Sequence, residues 1–157
     1  MEAAEVETPT PEEESKALVR DEYERLVAQS DFFGWTLRLV DAGDFYVVFI
    51  RIVGAGDRVF VLKLECEDYW QIAPLSGFVE PELFEAADEN TAFDTDSYPS
   101  GSEIHLDRGP LPIMCIKGHR DYYADNWHSG WSVPPAHDHT LYQHIVNVRN
   151  ALLDKWT

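Results

Sequence analysis

The run Phe45-Tyr46-Val47-Val48-Phe49-Ile50-Arg51-Ile52-Val53 is almost unbroken in β-branched and aromatic residues, the composition of a strand too apolar to leave both of its faces wet. Whatever the chain folds into must cover it. The runs on either side alternate apolar and polar residues with a period of two, Trp35-Thr36-Leu37-Arg38-Leu39 before it and residues 58–65 after it. Asp41-Ala42-Gly43-Asp44 and Gly54-Ala55-Gly56-Asp57 lie between them, and both are turn-forming in composition. The spacing predicts a three-stranded antiparallel meander.

Ahead of the meander the apolar period is that of a helix. Thr10-Pro11-Glu12-Glu13 reads as its start, with Thr10 as N-cap, Pro11 at the first helical position and Glu13 placed to close a capping box. Leu18, Val19, Tyr23, Leu26 and Val27 share one face, while Lys16, Arg20, Asp21, Glu22, Glu24 and Arg25 fall on the others. Such a helix is expected to lie on the meander. Residues 1–9, with Glu2, Glu5 and Glu7 and few apolar side chains, read as an acidic flexible tail. Residues 10–157 read as a single domain, long enough to bury a core without a disulfide or metal staple and free of internal repeats.

Past the meander the pattern loosens. Residues 69–101 are punctuated by Pro74, Gly77, Pro81, Pro99 and Gly101 and carry an acidic patch over 80–96, with residues 82–87 suited to a short helical turn. Residues 103–106 and 111–116 read as short extended pieces. A polar and aromatic loop with Trp127 and Trp131 follows, then Val133-Pro134-Pro135 as a breaker. Thr140 is placed to cap a final helix whose Leu141, Ile145, Val148, Leu152 and Trp156 form one stripe. The fold class expected from this order is α+β.

A formal net charge of −17 on 157 residues argues against a nucleic-acid or anionic-membrane surface, because either partner requires neutralising Lys and Arg. No secretory signal and no apolar run of membrane-spanning length stands out, so a cytoplasmic location with reduced thiols is expected for Cys66 and Cys115. Glu65, Glu67 and Asp68 crowd Cys66 with negative charge and disfavour a thiolate there, which assigns that cysteine to structure.

Cys115 has different neighbours. It ends the apolar run Pro112-Ile113-Met114 and leads into Ile116-Lys117-Gly118-His119-Arg120, which with Arg108 makes the densest basic cluster near it in sequence. Read from those residues alone, Cys115 is either a nucleophile favoured as thiolate or a small core side chain.

The order of helix, meander, proline-punctuated segment, strand ending in cysteine, tryptophan-bearing loop and helix resembles the ubiquitin-conjugating enzyme (UBC) fold. Ile104-His105-Leu106-Asp107 stands where that family carries a His-Pro-Asn motif, with His105 ten positions before Cys115. Ile113-Met114-Cys115-Ile116 matches the apolar-Cys-apolar pattern, and Trp131-Ser132-Val133-Pro134 matches a later segment. Leu106 and Asp107 replace the family's proline and asparagine, the loop from Cys115 to Trp131 is longer than usual, and one C-terminal helix stands where eukaryotic members have more. In these respects the chain resembles divergent prokaryotic relatives encoded with activating-enzyme-like and ubiquitin-like partners.

The resemblance implies a UBC-like domain over 10–157 and an acyl transfer on Cys115. A ubiquitin-like protein would arrive as a thioester from an activating enzyme and pass to an amine on a target protein, in a bacterial conjugation or antiphage defence system. It implies His119 and His105 as proton or hydrogen-bond carriers, Asp107 in the place of the oxyanion-stabilising asparagine, and Asp121 and Asp125 as groups that orient the attacking lysine. No cofactor or metal is implied, nor any nucleic-acid or membrane partner. Two alternatives stand beside it. One is a non-catalytic module of the same fold in which Cys115 packs. The other is a metal site drawn from His119, His128, His137, His139 and His144, for which helix capping and solvation of His137-Asp138-His139 and His144 is the simpler reading.

Overall fold

Thr10 and Glu13 form the capping box that their spacing predicts. The Thr10 hydroxyl accepts from the Glu13 N–H at 3.2 Å and the Glu13 carboxylate accepts from the Thr10 N–H at 3.4 Å, opening helix α1, Pro11–Phe33. Gly34, at φ 69°, ends the helix in the left-handed conformation that glycine adopts without strain. The computed structural model describes residues 8–54, 57–69, 71–94, 104–105, 113–114 and 140–155.

Four antiparallel strands follow in sequence order: β1 Trp35–Asp41, β2 Tyr46–Val53, β3 Val59–Glu65 and β4 Leu75–Val79. The meander therefore has one more strand than the alternation predicts. Pro74 and Gly77 read locally as loop residues, yet Leu75-Ser76-Gly77-Phe78-Val79 is held in register by β3, with Leu62 opposite Phe78 and Leu64 opposite Ser76. A 3-10 helix, Pro81–Ala86, stands where a helical turn is expected. Helix α2, Leu141–Lys155, closes the described chain, and the Thr140 hydroxyl accepts from the Gln143 N–H at 3.2 Å as its predicted cap.

The sheet is covered on both faces, one more than the composition of β2 requires. On one face Val48, Ile50, Ile52, Phe60, Leu62, Leu64 and Phe78 pack with Val19 and Leu26 of α1 and Leu141, Ile145 and Val148 of α2. On the other, Val47, Phe49, Val61 and Val79 pack beneath Phe84 and Ala87 of the 3-10 segment. Three assignments on the helices change. Val27, expected on the apolar face, is 46% exposed, while Glu22, expected on a polar one, is 8% exposed. His144, expected to be solvated at a helix entrance, is 1% exposed and belongs to the core.

Two cations fasten the 3-10 segment and the residues after it. The Arg38 guanidinium donates to the carbonyls of Phe84 and Ala87, and the Lys63 ammonium donates to those of Glu89 at 3.0 Å and Thr91 at 2.8 Å. Lys63 is only 2% exposed, so these oxygens and the Glu65 carboxylate at 3.3 Å replace the water its charge has lost. Lys63→Met is expected to destabilise the protein by about 1.5–3 kcal/mol, the usual worth of hydrogen bonds to a charged group. Chemical denaturation measures the loss, and faster amide exchange at Thr91 and Asp94 locates it.

Candidate functional site

Of the residues expected to act with Cys115, the structure describes His105, which lies on a short antiparallel strand pair. Strand β5, Ile104–His105, pairs with β6, Ile113–Met114, in the register Ile104↔Met114 and His105↔Ile113. Strand β6 lies against β4, so the hairpin adjoins the main sheet. His105 thus sits, as a backbone position, directly across from the arm whose next residue is Cys115. Cys115, His119 and Asp107 lie outside the described residues, as do Arg108, Lys117, Arg120, Asp121, Asp125, Trp127, His128, Trp131, His137, Asp138 and His139.

The apolar core between the sheet and the helices holds a few buried polar groups. Ser76, on β4, shares a 2.8 Å hydrogen bond between its hydroxyl and Nε2 of His144, on the second turn of α2. Both are buried, so the bond replaces water for two groups that would otherwise be costly inside an apolar layer. One Glu22 oxygen accepts from the Leu141 N–H at 2.9 Å, and Tyr69 donates its hydroxyl to the same carboxylate. Glu22 therefore satisfies a donor that the first turn of α2 cannot satisfy for itself, and its charge faces the positive end of that helix.

Burial pushes the Glu22 carboxyl above its ordinary range, while the hydrogen bonds from Tyr69 and Leu141 and the nearby charge of Arg25 act against that rise. Burial first, and the Glu22 charge second, push the Tyr69 phenol up as well. Glu22, Tyr69 and Ser76 were not singled out by residue type. The spacing of Val19, Glu22 and Leu26, three and four apart, was the one sign in the sequence that Glu22 turns inward. Cys66 is fully buried with its sulfur 3.7 Å from the Leu64 carbonyl oxygen, the placement expected of a structural cysteine.

A cavity of about 330 Å³ opens between α1 and α2, lined by Glu22, Arg25, Leu26, Gln29, Phe33, Thr140 and Tyr142. Its most buried polar group, Glu22, is already committed to capping α2, and Arg25 is paired with Asp21 at 2.7 Å. Among the described residues no three His, Cys, Asp or Glu side chains converge as a metal set. His144, the described member of the five candidate histidines, turns Nε2 toward Ser76. No helix among the described residues is long and apolar enough to cross a membrane. Compared with protein-family models, with curated proteins and with solved structures, the chain has no match.

Proposed function

We propose that this chain is a conjugating-type acyl carrier of the UBC fold that holds a ubiquitin-like protein as a thioester on Cys115. The observation that carries the reading is the β5–β6 hairpin, whose register sets His105 across from the strand leading into Cys115. The order of α1, a four-stranded antiparallel sheet, that hairpin and α2 supports it.

In this reading the Cys115 thiolate attacks the carbonyl carbon of the modifier's thioester on the activating enzyme. The tetrahedral oxyanion collapses and the activating enzyme's thiolate leaves. An amine of the target then attacks the new thioester, loses its proton, and Cys115 departs as thiolate. Lys117, His119, Arg120 and Arg108 favour the thiolate by their charge. His119 carries the amine's proton, and His105 holds the hairpin and its hydrogen bonds. Asp107, when ionised, only accepts hydrogen bonds, so it serves the attacking amine, and backbone N–H groups take the oxyanion in place of the family's asparagine. The reaction needs no cofactor, and its setting is a cytoplasmic bacterial conjugation or antiphage defence system.

The test is reconstitution with the activating enzyme and ubiquitin-like protein encoded in the same gene neighbourhood. A thiol-sensitive adduct is expected on the wild type and on Cys66→Ala. It is absent from Cys115→Ala, and Cys115→Ser gives a thiol-resistant oxyester. An adduct that persists in Cys115→Ala sinks the proposal. Binding of the modifier without any adduct would make the chain a non-catalytic module of the same fold.

A further inference from the structure

The turn between β1 and β2 fixes which backbone groups of β1 face outward. The Ala42 N–H donates to the Phe45 carbonyl at 2.9 Å. In the register Asp41↔Tyr46 and Val40↔Val47, the residues that exchange hydrogen bonds with β2 are then every second one back from Ala42, namely Val40, Arg38 and Thr36. The far side of β2 has the same phase. The Cys66 N–H donates to the Tyr46 carbonyl and the Gly54 N–H to that of Arg58, which turns Tyr46 and the alternate residues after it toward β3. The N–H and C=O groups of Leu37 and Leu39 therefore point away from the sheet.

Among the described residues β1 has a sheet neighbour on one side only. Its side chains register the same gap. Leu37, Leu39 and Val40 stay half-buried, whereas Ile50, Val48 and Val47, their partners on β2, expose nothing. Two devices that often blunt an edge, proline and lysine, are missing as well. Trp35-Thr36-Leu37-Arg38-Leu39-Val40-Asp41 has no proline and no lysine, and its one cation, Arg38, is turned onto the carbonyls of Phe84 and Ala87.

We propose that the outer edge of β1 docks an extended basic segment of a partner protein, which joins the sheet as a further strand. Backbone hydrogen bonds to Leu37 and Leu39 hold the segment. Its alternate apolar side chains cover Leu37 and Leu39 on one face and Val40 on the other. Charge selects the occupant. A second copy brings the same net charge of −17 and is repelled, whereas a strand carrying Lys or Arg is attracted. This inference is independent of the chemistry at Cys115.

Amide exchange on the full chain tests it, followed by NMR with and without a blocked peptide of alternating Val and Lys, as long as β1's seven residues. In the free protein the amides of Leu37 and Leu39 are expected to exchange at least about tenfold faster than those of Arg38 and Val40. The Lys peptide is expected to slow them by about tenfold, equivalent to about 1.4 kcal/mol, and a Val-Glu peptide of equal length to leave them unchanged. Thr36→Lys, at an exposed position on the strand, weakens the effect by repulsion. Equal protection of Leu37, Leu39, Arg38 and Val40 in the free protein would overturn the proposal, since the edge would already be covered. So would a Lys peptide that leaves Leu37 and Leu39 untouched. Slowing that grows with protein concentration alone would replace the basic partner with a second copy.

Discussion

Phe78→Ala is expected to cost about 3–5 kcal/mol, the range for truncating a fully buried aromatic side chain. Phe78 has no exposed surface, stands opposite Leu62 on β3, and meets Phe60 edge-on with ring centroids 6.2 Å apart. Its cluster includes residues of both helices and of β2 to β4, so no single neighbour relaxes into the space without disturbing another. Against a total stability of about 5–15 kcal/mol for an ordinary domain, the loss is a large fraction. Urea denaturation should show a lower midpoint with an unchanged slope, as for a folded but weakened state. Leu83→Ala, at a half-exposed position on the 3-10 helix, is the contrast and should change little. Since β4 also backs the β5–β6 hairpin, Phe78→Ala should reduce any adduct on Cys115 at temperatures where the wild type is still fully loaded.

Glu22 is the second position where a large effect is expected, and two substitutions separate its roles. Glu22→Ala removes the acceptor for the Leu141 N–H and for the Tyr69 hydroxyl, and each donor left unsatisfied in the core costs about 1–3 kcal/mol. Relief of the carboxylate's own burial offsets part of this. Glu22→Gln keeps an acceptor for Leu141 and removes the charge. Glu22→Ala should therefore be less stable than Glu22→Gln at every pH, by about 1–3 kcal/mol.

The pH dependence has a definite sign. The Glu22 carboxyl sits above its ordinary value of 4.5 in the folded protein because burial disfavours its charge. The native state then holds this proton more tightly than the unfolded chain does, so stability is fully present below about the unfolded value and falls as pH rises through the folded one. Glu22→Gln has no such proton to lose. Thermal melts should show the variant gaining on the wild type as pH rises above 4.5, and a difference that stays constant with pH would contradict this account. Other carboxylates titrate equally in both proteins and cancel from the comparison.

The main elements of the fold could be read from the chain because their signals are local. A capping box acts over three residues, so Thr10 and Glu13 marked the start of α1 correctly, as Thr140 marked that of α2. The meander's alternation named β1, β2 and β3, since side-chain direction along a strand is set by the backbone itself. What the site requires was only partly legible. His105 was named by its distance from Cys115, and the structure shows that position paired with Ile113. The thiol itself, with His119 and Asp107, lies outside the described residues.

Sequence alone, then, determined the class of this protein as α+β, the starts of its helices, the phases of three strands and the demand that β2 not be left wet on both faces. Tertiary structure alone decided that Leu75–Val79 is a strand, that Lys63 and Arg38 hold the second cover in place, and which groups Glu22 and His144 meet inside. Those outcomes depend on partners far along the chain: Glu22 meets Leu141 across 119 positions and Ser76 meets His144 across 68. A polar residue's burial is set by whether such a distant group satisfies it, and while Val19 and Leu26 mark the inward direction of Glu22, nothing within a helical turn of it names the donors that it meets.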